Sequence, residues 1–148
     1  MQLYIFHFQF FVKSVEVKEE IKPISLSYWF SGLTNTSTLN LEKLNTSEVI
    51  SMVKAFYNTG YNVKTFETDI GNFDTSKVTN MYHAFENIGY SATEWSIGDL
   101  SNWNTSNVTD MYAMFYDAGL NATYILDLSK WDVNKVTSYY NFNTTVTT

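Results

Sequence analysis

The chain has 148 residues, 45% apolar and 18% aromatic, with one proline and six glycines, so a single domain with a sizeable core is expected and disorder is not. Nine basic against fifteen acidic side chains give a formal charge of −6 with no basic cluster, which argues against partners held through phosphate, nucleic acid and anionic membrane alike. The absence of cysteine excludes disulfides, thiolate catalysis and cysteine-ligated metal.

The first stretch, MQLYIFHFQFFV (1–12), is apolar but shorter than the roughly 20 residues that a bilayer-spanning helix needs. No basic residue precedes Lys13 and no small-residue cleavage pattern follows, so it makes a poor signal peptide. Val15 and Val17 alternate with Ser14, Glu16 and Lys18, the period of a strand. Residues 1–21 are therefore expected to form a strand or cap in front of the remainder.

From residue 44 the chain repeats itself. LNTSEVISMVKAFYNTGY (44–61), FDTSKVTNMYHAFENIGY (73–90) and WNTSNVTDMYAMFYDAGL (103–120) align directly, and WDVNKVTSYYNF (131–142) is a degraded fourth copy. The copies start at residues 44, 73, 103 and 131, a period of 28–30. A partial copy lies upstream, where Leu26 matches Met52, Met81 and Met111, and Phe30 matches Phe56, Phe85 and Phe115.

Each unit holds two local patterns. One is short and extended: Leu39–Leu41, Thr68–Ile70, Gly98–Leu100 and Leu126–Leu128. The other has helical spacing, since Val78, Met81, Ala84 and Phe85 fall on one helix face, as do Val108, Met111, Met114 and Phe115. Thr-Ser before each valine suits a helix start, and Gly60, Gly89 and Gly119 suit a left-handed stop. Strand plus helix every 28–30 residues predicts an α/β fold: a short leucine-rich-repeat solenoid of about four repeats, parallel strands on one face and helices on the other. The array is expected over residues 22–143, with 144–148 as a disordered tail.

The segment DLSNWNTSNVTDMYAMFYDAG (99–119) resembles the repeat of BspA-like leucine-rich-repeat surface proteins, in the form found in mycoplasma surface lipoproteins. LDLSKWDVNKVTSYYNF (126–142) is a worn copy, and KPISLSYWFSGL (22–33) is similar to the lead-in of such arrays. The resemblance implies a cell-surface or secreted protein of adhesion type, with a role in surface display and in host or partner contact.

Four columns of equivalent residues emerge. Leu44, Phe73, Trp103 and Trp131 are expected to stack as a structural ladder beside the strand. Asn40, Asp69, Asp99 and Asp127 should point outward, which makes them a recognition stripe, a weak Ca²⁺ site or simply a solvated face. Asn45, Asp74, Asn104 and Asp132 stand at a turn where Asn and Asp bond their own backbone. Tyr82, Tyr112 and Tyr140 are candidates for an aromatic contact patch, and packing between neighbouring units is the other reading.

Nothing points to catalysis. The histidines are His7 and His83; His83 occupies a variable repeat position read as exposed, and no nucleophile-elbow, zinc-protease or phosphate-loop motif occurs. No catalytic residue, metal site or cofactor is expected. The function expected is a non-catalytic module binding an extracellular protein or glycan, with no nucleic acid and no membrane insertion. The alternative is a spacer or array fragment without its own ligand. Asn-x-Ser/Thr triplets arise from the repeat itself and carry no separate information.

Overall fold

The structure is a computed structural model that describes residues 9–143. The expectations for residues 1–8, His7 included, and for the tail 144–148 lie outside the described residues.

A single 3₁₀ turn, Gln9–Phe11, leads into β1 (Ser14–Glu16), followed by β2 (Thr38–Asn40), β3 (Thr65–Thr68) and β4 (Glu94–Ser96). The four form one parallel sheet in chain order. Ser14 lies opposite Thr38, Thr38 opposite Glu67, and Glu67 opposite Ser96. Period-two alternation places Leu39, Phe66 and Thr68 in the core, with Thr38, Asn40, Thr65 and Glu67 outside. A second wall runs through single parallel bridges, Ser25–Ser51–Asn80–Asp110–Ser138. The chain is thus a stack of coils, and we number them from their corner residues: coil 1 (21–43), coil 2 (44–72), coil 3 (73–102), coil 4 (103–130) and coil 5 (131–143).

The expected helices are not there. No α-helix occurs among the described residues, and the second wall is built from tight turns, so the α/β solenoid with a helical face is overturned. An α-helix gives each amide to the carbonyl four residues back. Here the amides of Met81, His83, Phe85 and Asn87 instead cross to the carbonyls of Asp110, Tyr112, Met114 and Tyr116 in the next coil, at 2.8–2.9 Å. The alternate amides, of Ala84, Glu86, Ile88 and Tyr90, close turns onto carbonyls three residues back at 3.1–3.4 Å. Left-handed residues make this possible: His83, Asn87 and Gly89 have φ of 52°, 57° and 59°, and Lys54, Asn58 and Gly60 repeat the values at 50°, 57° and 65°. A right-handed helix cannot contain them. Tight turns bring Val78, Met81, Ala84 and Phe85 to the same inner side that a helix would, so the apolar spacing is the same for both.

The strand expectations need correction too. Thr68 closes β3, but coil 3 pairs through Glu94–Ser96 rather than 98–100, and 126–128 forms no strand. Glu67 and Ser96, paired in the sheet, are 29 apart, while the corner residues Phe73 and Trp103 are 30 apart. The extra residue falls between Ser96 and Trp103, where Gly98 takes φ of 86° and a Cβ would lie 2.2 Å from the Asp69 carboxylate. The N-terminal strand expectation meets β1, which forms one edge of the sheet.

The core is a set of side-chain ladders. Phe30, Phe56, Phe85 and Phe115 stack at centroid distances of 5.0, 5.1 and 5.2 Å. That repeat is close to the ~4.8 Å between neighbouring strands, so each backbone step carries one ring onto the next. At the corner, Phe73 and Trp103 stack at 6.5 Å, and Trp103 and Trp131 at 5.9 Å. The indole N–H groups of Trp103, buried, and Trp131, half-buried, donate to the carbonyls of Ile70 (3.0 Å) and Leu100 (2.9 Å), each three residues before the preceding corner residue, so the large rings leave no polar atom unmatched. Leu44, the first member of the column, is buried in the same cluster.

Two outcomes follow from this packing. Trp103→Ala should lower unfolding free energy by about 3–5 kcal/mol in a denaturant titration; a loss below about 1 kcal/mol would place the residue outside the core. Lys54→Gly separates turn from helix by sign. In a helix the change would cost about 0.8–1 kcal/mol. At a left-handed position it relieves roughly 1 kcal/mol of backbone strain. Loss of the Lys54–Tyr57 contact, 5.0 Å from ammonium to ring centroid, offsets about half of that, so the midpoint should rise slightly.

Candidate functional site

Three columns of polar side chains turn the chain at fixed places, all three of them in coils 2, 3 and 4. In the first, Asn40, Asp69, Asp99 and Asp127 are exposed, and each Oδ1 accepts the backbone N–H two residues on, from Glu42, Gly71, Ser101 and Ser129 at 2.9–3.4 Å. In the second, Asn45, Asp74, Asn104 and Asp132 accept from Ser47, Ser76, Ser106 and Asn134 at 3.0–3.2 Å. In the third, Ser25, Ser51, Asn80 and Asp110 accept from Ser27, Val53, Tyr82 and Tyr112 at 2.9–3.5 Å. Asn, Asp and Ser do this because their short side chains place an acceptor where a turn amide points. The outward strand stripe therefore already has a structural task.

Electrostatics agree with that task. The amide and hydroxyl of Ser101, in that order, hold Asp99 below the ordinary carboxylate range. Asp74 and Asp127 are lowered by the hydroxyl first and the amide second of Ser76 and Ser129. Among the described residues no group of three or more His, Asp or Glu side chains is arranged to hold a metal ion.

The Thr of each Thr-Ser pair does not cap a helix. Thr75 and Thr105 are buried and donate across the stack to the carbonyls of Asn104 and Asp132, both at 3.0 Å.

The tyrosines lie on the turn wall. Tyr82 and Tyr112 are half-buried and stack at 5.5 Å, and Tyr140, exposed, tilts against Tyr112 at 6.1 Å. The ring faces between Tyr82 and Tyr112 are thus turned to one another, and edges and hydroxyls remain for solvent. His83 is half-buried rather than exposed: it contacts Tyr82 and Tyr112 and hydrogen-bonds Glu86.

Sequence reasoning passed over three features. The outer side of the sheet carries Glu16, Thr38, Glu67, Glu94 and Ser96 between the predicted stripe positions, because the strands begin earlier in each coil than expected. Tyr61 and Tyr90 form a closer stack than the chosen tyrosines, at 4.6 Å; their separation of one repeat was the available signal. At the C-terminal end, Met111, Leu128, Trp131, Val136, Tyr139 and Phe142 line an open apolar groove.

A family model described as "Mycoplasma protein of unknown function, DUF285" matches residues 24–147. The chain belongs to this family, and the match takes in every repeat from coil 2 onward. No curated protein and no solved structure matches it.

The lowered carboxylates predict how acid acts. A group whose folded pKa is depressed stabilises fully above its unfolded value, near 3.9 for Asp, and that contribution is lost as pH falls through the folded value. The combined Asp74→Asn, Asp99→Asn and Asp127→Asn variant keeps the turn acceptors but loses their charge, so it should melt slightly below wild type at pH 7. Its melting temperature should fall less steeply below pH 4. Parallel acid profiles for the two proteins would show that these carboxylates do not contribute.

Proposed function

We propose that the chain is a non-catalytic surface module, akin to BspA-like repeat proteins, that binds an extracellular protein or glycan on the outer side of its sheet. One observation carries the reading. Inward positions are filled by what the stack requires, such as Val15, Leu39 and Thr68 in one register column. The column before it on the outer side changes freely through Ser14, Thr38, Glu67 and Ser96. Packing constrains the inward set and leaves the outward set available for recognition. Membership of a mycoplasma family whose match spans the repeats supports placement at the cell surface.

The test uses Asn rather than Ala at the stripe, because alanine would also remove the turn acceptors. Wild type and the Asp69→Asn, Asp99→Asn, Asp127→Asn variant are presented to a panel of extracellular proteins and glycans. A partner retained by wild type and lost by a variant still fully folded at the assay temperature supports the sheet face as the site. Equal retention by both would move the site off the stripe. A folded wild type that retains nothing would favour the spacer reading.

A further inference from the structure

Tyr61 and Tyr90 each follow a left-handed glycine, Gly60 and Gly89, where the turn wall bends toward the sheet. Their rings lie 4.6 Å apart and within 5° of parallel. Tyr82–Tyr112 is wider and more tilted, at 5.5 Å and 22°. Backbone bonds on both sides fix the pair in place: Gly89 N–H donates to Thr59 at 2.8 Å, and Ser91 N–H to Tyr61 at 3.1 Å. Both tyrosines are partly exposed, so an oxidant in solution can reach them.

We propose that Tyr61 and Tyr90 are an oxidative cross-linking site that joins coil 2 to coil 3 through a dityrosine bond. The oxidant is hydrogen peroxide acting through a haem peroxidase, which removes one electron at a time. Each phenol gives up one electron and its hydroxyl proton and becomes a phenoxyl radical. The two radicals couple through ring carbons ortho to oxygen, forming one carbon–carbon bond. The hydrogens on those carbons then move to the oxygens, restoring both phenols. In total two hydrogen atoms leave the protein, and one peroxide is reduced to two waters.

The fold supplies the proximity that this coupling needs. Two radicals on separate molecules must meet by diffusion, whereas these are held side by side, the condition in which intramolecular reactions gain most. Stacked rings must turn partly out of register for ortho carbons to meet. The ring torsion is broad and two-fold, and the exposed edge gives room for that movement. The product closes a covalent loop between adjacent coils, which limits how far they separate on unfolding.

Dilute purified protein is treated with a haem peroxidase and hydrogen peroxide, then followed by dityrosine fluorescence, gel mobility and peptide sequencing by mass spectrometry. The expected product is a monomer linked between peptides 55–64 and 78–130, with its bond at Tyr61 and Tyr90 and a melting temperature above that of untreated protein. Tyr61→Phe and Tyr90→Phe keep the stacked ring and the fold, and each should reduce the intramolecular product to background. Tyr57→Phe and Tyr82→Phe should leave it unchanged. Product that persists in Tyr61→Phe, dityrosine found only in intermolecular dimers, or no dityrosine where free tyrosine couples readily would each overturn the proposal.

Discussion

The structure depends on how the second wall spends its backbone amides. Every other amide is given to the next coil and the ones between close a turn within their own coil, so a single stretch is both locally tight and laterally paired. That alternation needs left-handed residues at fixed places, and the chain places Asn, Asp, Gly, Lys, His, Tyr and Ala there. Glycine is required where a neighbour comes closest: a Cβ at Gly60 would stand 2.3 Å from the Phe66 ring, and one at Gly89 would stand 2.4 Å from the Trp95 ring. The non-glycine positions carry strain that the stacking of whole coils must offset.

Stacking offsets it through ladders in which like meets like. Phenylalanine rings follow one another through coils 1 to 4, indoles stack at the corner, and Thr79, Thr109 and Thr137 each send a hydroxyl to the preceding coil at 3.1–3.3 Å. Each aromatic pair contributes roughly 0.5–1.5 kcal/mol beyond the area it buries. No coil could gain this alone, since a coil in isolation has neither the ring above nor the amide acceptors beside it. Lys22, Glu48 and Lys77 extend the same logic to an exposed charge ladder at 3.6 and 2.7 Å, where solvent keeps the energy small.

The same periodicity separates what the fold uses from what it leaves free. Asx turns claim the exposed Asp69, Asp74, Asp99, Asp127 and Asp132, including the carboxylates of the stripe that looked most like a ligand site. An exposed carboxylate closed onto its own backbone can still meet a partner, but its presence no longer needs one. The outward strand residues Ser14, Thr38, Glu67 and Ser96 have no such turn to close, and they vary between coils that are otherwise close copies. Recognition on this scaffold would therefore come from substitutions at the few positions that stacking ignores.

Much of this was legible in the chain itself. Internal repetition fixed the unit, the ladder columns and the inward residues, because a stack brings residues one period apart into contact whatever backbone joins them. Turn chemistry at Asn45, Asp74, Asn104 and Asp132 could be read from residue type alone. The path between those points could not. A spacing of three and four residues places Val78, Met81, Ala84 and Phe85 inside for a helix and for a run of tight turns alike. What distinguishes the two is where the amides point, and that was decided only when a neighbouring coil offered carbonyls at hydrogen-bonding distance. The position of the strands, one turn earlier than expected in coil 3, was likewise set by pairing across the stack and by one extra residue absorbed at Gly98.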